Sequence, residues 1–117
     1  MLPRRKPNRS GIRDNDGPIR SPAHLAHVRG FVCVAFKSGE CEGRIEAAHY
    51  RSAANAGTGV KPGDEWVFPA CAKHHQEQHR IGQPAFEAKY GVDLAKECEA
   101  LARSSAHIRR AKQERGR

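Results

Sequence analysis

The chain has 117 residues, which is enough for one compact domain and too few for two. It carries 21 lysine and arginine residues against 13 acidic ones, for a formal net charge of +8, and only 38% of its residues are hydrophobic. This composition predicts a small core that needs a metal or disulfides to support it. It also contains no apolar run of the kind found in a signal peptide or a membrane span, so a cytoplasmic protein without membrane contact is expected.

Residues 1–22 are rich in Arg, Pro, Asn, Asp and Gly and show no hydrophobic periodicity. This composition predicts a disordered basic arm. We expect residues 23–103 to form a folded domain and residues 104–117 to form a basic tail, either a frayed helix or a solvated arm. At the end of the first arm, Ser21 can cap a helical turn in which Pro22 takes the first position.

The middle of the chain has the patterns of short strands. Residues 31–34 form an apolar run suited to the start of a buried strand. Residues 45–50 predict a second strand with His49 on the same face as Ile45, and residues 66–70 predict a third. The loop between these last two, residues 52–64, is long enough to be functional or disordered.

The remainder of the chain predicts helices. Residues 71–79 have the composition of a helix start, and the apolar residues of segment 84–102 recur at spacings of three and four. Gly91 is expected to divide that segment into two helices. Together with the strands, these elements predict a small α+β domain.

Four cysteines and seven histidines in an intracellular chain indicate metal binding rather than disulfides. Thiolate and imidazole are the ligands that zinc prefers, and a structural zinc site needs four of them. Cys71 and His74 have the spacing of a zinc knuckle, and Cys33 and Cys41 can supply the other pair across a wider gap. Cys98 instead falls on the apolar stripe of the last predicted helix, so we assign it to the core.

Three further histidines suggest a second site. His75 and His79 are one helical turn apart, so they project from one face and can chelate a second metal ion. His49 precedes the long loop, and a neutral imidazole there can accept a proton from water. The alternative is that the helical pair is merely exposed.

Several segments of the chain also resemble those of a known family. Residues 47–51 (AAHYR), the glycine-rich loop ending in Lys61–Asp64, Trp66, and residues 69–80 (PACAKHHQEQHR) are similar to the HNH endonucleases of the phage recombination-enhancement (Ref-like) group. The likeness covers about residues 26–90, and its most specific part runs from Cys71 to His79.

The resemblance implies a ββα-metal fold and a role for each histidine. His49 corresponds to the general base, His79 to a ligand of the catalytic ion, and His75 to a second ligand or a phosphate contact. The four Cys and His ligands described above correspond to the structural zinc cluster of many members. Members often have an acidic or histidine ligand just before the first histidine, where this chain has Ala48.

The resemblance further implies an endonuclease that hydrolyses DNA in phage or prophage recombination. Zinc would be its structural metal, and magnesium, manganese or zinc its catalytic ion. The family's central asparagine has no evident counterpart in this chain, where Asp64 or Glu65 stands nearby. The substrate, double- or single-stranded, and the oligomeric state stay open. Basic residues expected to contact nucleic acid are Arg51, Lys61, Lys73 and Arg80.

Two other functions are compatible with the sequence. A non-catalytic zinc module that binds nucleic acid would explain the charge, the Cys/His cluster and Ala48. It would not explain the presence of His49, His75 and His79, since a zinc site needs only four ligands. A zinc-stabilised protein–protein adaptor is disfavoured by the excess of positive charge.

Overall fold

The computed structural model describes residues 18–52 and 62–115, with side chains up to residue 114. These residues form a small α+β domain, which confirms the predicted class. Within them, every helix is too short or too polar to cross a membrane. The elements are α1 (Pro22–Val28), a 3-10 helix (Phe36–Ser38), β1 (Ile45–His49), β2 (Val67–Cys71), α2 (Ala72–Ile81), α3 (Gln83–Tyr90), α4 (Leu94–Ser104) and α5 (Ala106–Arg115).

The two strands pair antiparallel, so that Ile45 lies opposite Cys71 and His49 opposite Val67. Because side chains alternate along a strand, β1 presents two different faces. Ala48 packs into a core shared with α3 and α4, whereas Ala47 packs against α1. The sheet is therefore covered on both sides, by α2 to α4 on one face and mainly by α1 on the other.

The larger core lies on the Ala48 side of the sheet and includes Cys98, as the sequence predicts. Cys98 is fully buried, and burial raises the pKa of its thiol. A smaller core joins α1 and α4 to the other face of the sheet. The larger core comprises Cys33, Ala35, Ala48, Phe68, Ala70, Cys71, Phe86, Leu94 and Cys98, and the smaller one Val28, Val67 and Leu101.

Several predicted helix boundaries are confirmed by their caps. The Ser21 hydroxyl accepts a hydrogen bond from the backbone N–H of His24 and starts α1. Gly91 ends α3 with a φ of 64°, a left-handed conformation that glycine adopts without strain. The Asp93 carboxylate then caps α4 by accepting from the N–H of Lys96.

The prediction of a strand over residues 31–34 is wrong. Phe31 and Val32 are 42% and 65% exposed, and this segment forms turns around the buried Cys33. A single backbone bond, from the N–H of Val34 to the carbonyl of Pro69 at 2.9 Å, joins it to β2. The apolar run reflects the burial of Cys33 within turns rather than a strand.

The described ends of the chain are packed more closely than predicted. Ile19, in the predicted arm, is buried, and its carbonyl accepts from the N–H of Asp64. The predicted tail contains α5, in which Ile108 is 1% exposed. The rest of the predicted arm, residues 1–17, lies outside the described residues, as do residues 53–61 of the long loop.

Candidate metal centre and active site

The four predicted zinc ligands come together at one end of the sheet. The ligand atoms of Cys33, Cys41, Cys71 and His74 all lie within 4.8 Å of one another. Nδ1 of His74 is 3.5 Å from the Cys33 sulfur, 3.7 Å from the Cys41 sulfur and 3.1 Å from the Cys71 sulfur. The structure thus shows a Cys3His cluster suited to a metal ion.

Backbone amides hold two of the sulfurs in place. Cys71 ends β2 and caps α2, and its sulfur accepts from the backbone N–H of His74 at 3.4 Å. The sulfur of Cys33 accepts from the N–H of Ala35, also at 3.4 Å. These N–H···S bonds aim both side chains at the same point, because each sulfur is fixed by the turn that follows it.

The wide gap between Cys33 and Cys41 is occupied by the 3-10 helix, which turns the chain back toward α2. Gly43 then makes a close approach: it has a φ of 83°, and a Cβ there would lie 2.7 Å from the Cβ of Ala72. The N–H of Ala72 donates to the carbonyl of Arg44 at 3.0 Å. This contact between the loop and the start of α2 brings Cys41 to the other three ligands.

The dimensions of the cluster fit zinc. With zinc–sulfur and zinc–nitrogen bonds of about 2.3 and 2.0 Å, a tetrahedral site separates sulfur from nitrogen by about 3.5 Å. Two of the three separations are within about 0.2 Å of that value. The third, from Cys71 to His74, is shorter by about 0.4 Å. Cys33, Cys41, Cys71 and His74 would therefore hold the ion with little movement.

The thiols of the cluster differ in how readily they ionise. Desolvation, followed by the adjacent thiols of Cys33 and Cys71, raises the pKa of Cys41 to about 12. Burial would raise the pKa of Cys71 too, but hydrogen bonds from the backbone of His74 and Glu42 and from neighbouring thiols hold it below its ordinary value. A divalent ion would offset the repulsion between thiolates and allow all three to ionise.

The outer side of the His74 ring is also fixed. If Nδ1 binds the metal, Nε2–H is left to donate to the Ser38 hydroxyl, which lies 3.4 Å away. The ring of Tyr90 meets the His74 ring edge to face at 5.0 Å between centroids. Tyr90 itself donates to the carboxylate of Glu77, so α3 helps to hold the ligand on α2.

A second group lies one position further along α2. Nε2 of His75 and Nε2 of His79 are 3.1 Å apart. Two nitrogens about 2.1 Å from one ion, at an angle between square and tetrahedral, are separated by about 3.0 to 3.4 Å. The predicted pair therefore has the spacing of a chelate.

Glu46 belongs to this second group, although the sequence did not single it out. Its Oε1 lies 2.7 Å from Nδ1 of His75. A carboxylate that accepts from one ring nitrogen leaves the other nitrogen as the metal ligand and fixes the ring. The available signal was strand alternation, which places Glu46 and Ala48 on the face of β1 that α2 covers.

His49 is oriented by a different carboxylate. Its Nε2 lies 3.0 Å from Oδ1 of Asp64, so a proton on Nε2 would be donated to Asp64 and Nδ1 would be left to accept one. Asp64 is 4% exposed and accepts from the backbone N–H of Ser21 at 2.7 Å. Its burial opposes ionisation, but hydrogen bonds from His49 and Ser21 and the charge of Arg20 hold its pKa below the ordinary value.

The predicted catalytic histidines form two groups rather than one. Glu46, which contacts His75, and His49 are three residues apart on β1 and therefore point to opposite faces of the sheet. His49 is on the α1 side with Asp64, whereas His75 and His79 are on α2. In the described residues, β1 pairs along one edge only, so a ligand lying along its other edge could reach both faces.

Three of the four predicted nucleic-acid contacts are exposed side chains. Arg51 follows β1, and its backbone is held by Gln83, which donates to its carbonyl at 2.6 Å. Lys73 and Arg80 lie at the two ends of α2, where they pair with Glu42 and Glu77. Lys61 lies outside the described residues.

Comparison with protein-family models, with curated proteins and with solved structures finds no match. Function is therefore inferred from the geometry of the Cys3His cluster, of the Glu46–His75–His79 group and of the His49–Asp64 pair.

Proposed function

We propose that this chain is a metal-dependent nuclease of the HNH type that hydrolyses phosphodiester bonds in DNA. The observation that carries the proposal is the Glu46–His75–His79 group, in which a carboxylate orients one of two imidazoles spaced to chelate an ion. Its two histidines lie on the helix that directly follows a two-stranded sheet, the order of elements that the sequence resemblance implies.

Each residue of this group has a distinct task. Nε2 of His75 and Nε2 of His79 would hold a divalent ion such as magnesium, manganese or zinc, and Glu46 fixes the His75 ring. When bound, such an ion polarises a phosphate oxygen and stabilises the charge that develops during hydrolysis. Glu46 is a positioning residue here, because its contact is with His75 and not with substrate.

His49 would act as the general base that removes a proton from the attacking water. The Asp64 carboxylate holds the ring and favours the imidazolium that forms, as a buried aspartate does in other histidine-based active sites. A phosphodiester backbone lying along the edge of β1 that is unpaired among the described residues would have the ion on one side and His49 on the other. This arrangement uses both faces of a single strand.

The structural zinc would keep this arrangement rigid. His74 and His75 are neighbours in the first turn of α2, so fixing one ring in the Cys3His cluster also fixes the direction of the next side chain. Because the chain is small and its apolar content low, folding of the site would depend on the zinc. The metal of the cluster is thus structural, since all four of its positions are filled by protein ligands.

Nucleic acid is the class of substrate that the charge favours. The net charge of +8 gives a salt-dependent attraction to phosphates. Arg51 and Arg80 are exposed at the end of β1 and the end of α2, close in sequence to His49 and His79. They would position the phosphodiester backbone rather than select a base sequence.

A cleavage assay tests the proposal. Zinc-loaded protein is incubated with linear duplex, single-stranded DNA and RNA, with and without added magnesium or manganese, and compared with His79→Ala. The proposal requires ion-dependent cleavage by the wild type and none by the variant. Equal cleavage by both proteins would exclude α2 as the site of the ion.

The second candidate function is a non-catalytic zinc module that binds nucleic acid. The observation that favours it is Ala48, which offers no ligand on the strand face that α2 covers. The same assay separates the two functions, because the module would bind DNA in a gel-shift experiment with the same affinity in the wild type and His79→Ala, and neither protein would cut it.

A further inference from the structure

Three of the seven histidines belong to neither metal group nor to the Asp64 pair: His24, His27 and His107. They come from the two ends of the described chain, yet they lie side by side where α5 packs on α1. The ring centroids of His24 and His27 are 6.1 Å apart, and those of His27 and His107 are 6.0 Å apart. Two imidazoles of α1 and one of α5 therefore meet at the contact between these helices.

The most informative of the three is His24, whose side chain is fully buried. Its Nδ1 lies 2.9 Å from the hydroxyl of Ser105, a residue that is itself 1% exposed. Its Nε2 is buried too, and among the described residues it has no hydrogen-bond partner. Buried ring nitrogens are seldom left unpaired, and an unpaired one indicates an ion or a water molecule.

The hydrogen bonding of the His24 ring matches that of a metal-binding imidazole. Imidazoles that bind a metal through one nitrogen usually donate the other N–H to an oxygen, which fixes the tautomer. The Ser105 hydroxyl is that oxygen here, and it also accepts weakly from the backbone N–H of Ile108. With Nδ1–H donated to Ser105, Nε2 of His24 presents a lone pair.

We propose that His24, His27 and His107 form a site for a divalent transition-metal ion that joins α1 to α5. An ion about 2.1 Å from a ring nitrogen is about 3.2 Å from the ring centroid, so two rings on one ion have centroids about 6.4 Å apart in a linear arrangement and about 5.2 Å apart in a tetrahedral one. Both separations lie between these values, so His27 and His107 would have to turn toward the ion to complete the site. Their side chains are half-buried, which leaves room for that rotation.

The donor set defines the class of ion. Three neutral imidazoles suit zinc, nickel, cobalt or copper, whereas magnesium and calcium prefer oxygen ligands. A bound ion would tie the basic helix α5 to α1. The site does not depend on the nuclease proposal, because it shares no residue with it.

A nickel titration tests the site in the full-length protein with zinc already bound at the Cys3His cluster. Four proteins are compared by calorimetric titration with Ni²⁺ and by thermal unfolding: the wild type, His107→Gln, His27→Gln and His79→Ala. The two glutamine variants change half-buried side chains, so the fold is expected to survive. His79→Ala removes the chelating pair on α2 and serves as the matched control.

We expect each glutamine variant to bind about one nickel ion fewer than the wild type and to lose the rise in Tm that this ion produces. His79→Ala should lose the nickel ion bound by the pair on α2 but keep the rise in Tm produced by the ion between α1 and α5. A glutamine variant that binds as much nickel as the wild type, with the same rise in Tm, would overturn the proposal. So would loss of the rise in His79→Ala alone, because the ion would then belong to α2.

Discussion

Nδ1 of His75 and Oε1 of Glu46 lie 2.7 Å apart, and this contact joins the middle of β1 to the first turn of α2. It makes Glu46 the partner that sets the tautomer of a candidate metal ligand. The same arrangement recurs between Asp64 and His49 on the other face of the sheet. His49 and His75 are therefore each oriented by a carboxylate.

Glu46→Gln should weaken binding of the divalent ion by roughly 10- to 100-fold, the usual effect of losing such a carboxylate partner. The amide retains a hydrogen-bond acceptor but not the charge that strengthens His75 as a ligand. Ion affinity is measured by manganese titration of the zinc-loaded protein. Glu42→Gln removes an equal charge from an exposed ion pair with Lys73 and should bind manganese normally. Equal affinity in all three proteins would contradict the role of Glu46.

Cys71→Ala should abolish tight zinc binding and cooperative thermal unfolding, because it removes one of four ligands and the cap of α2. Cys98→Ala is the matched control, since Cys98 is equally buried but lies outside the cluster. That variant should keep about one zinc per chain and lose only the modest stability of a core truncation. Zinc content and Tm are measured for both. A zinc-free Cys71→Ala protein that still melts cooperatively would refute a structural role for the metal.

Stability should depend on pH through His24. Burial, with smaller contributions from the neighbouring His27 and His107, lowers its pKa from 6.5 to about 4. The unfolded chain therefore binds more protons than the folded one between these values, so this contribution is present above pH 6.5 and is lost as the pH falls toward 4. His24→Gln should show a shallower loss of stability over that window.

This pH dependence is measured by urea unfolding at several pH values, without metal beyond the bound zinc. The wild type and His24→Gln share the same thiolate cluster, so acid release of zinc affects both equally. The difference between their unfolding free energies then reports on His24. Parallel pH profiles for the two proteins would mean that His24 titrates alike in the folded and unfolded states.

Arg51→Gln with Arg80→Gln should flatten the salt dependence of DNA binding, because each phosphate contact releases about one counterion. The slope of the logarithm of affinity against that of salt concentration should fall by about two. Lys89→Gln with Lys96→Gln removes the same charge from exposed positions on α3 and α4 and should change the slope less. Equal changes for the two pairs would show that attraction is not localised at the end of α2.

The sequence predicts the Cys3His cluster because its evidence is local. Cys71 and His74 are spaced by a helix start, and the structure confirms that they meet Cys33 and Cys41. The apolar residues 31–34 instead predict a strand, since burial of a single side chain in a turn and burial in a sheet can accompany the same short apolar run. The exposure of Phe31 and Val32 in the structure distinguishes the two cases.

The partners of the other histidines could not be predicted, because they depend on tertiary packing. Glu46 reaches His75 only once α2 lies across β1, and the two are 29 positions apart in the sequence. His24 and Ser105 are 81 positions apart and meet only because α5 folds back onto α1. Hydrophobic periodicity predicts which residues are helical, but it does not specify which helices touch.

The most direct test of the nuclease proposal is single-turnover cleavage of a labelled DNA by zinc-loaded wild type, His49→Ala and His79→Ala. The account predicts that His79→Ala loses both the divalent ion and cleavage. It predicts that His49→Ala keeps ion and DNA binding but cuts roughly two to four orders of magnitude more slowly, the usual contribution of a general base. Cleavage by His49→Ala at the wild-type rate would contradict the role of His49. Absence of cleavage by the wild type with magnesium, manganese and zinc would contradict the nuclease proposal itself.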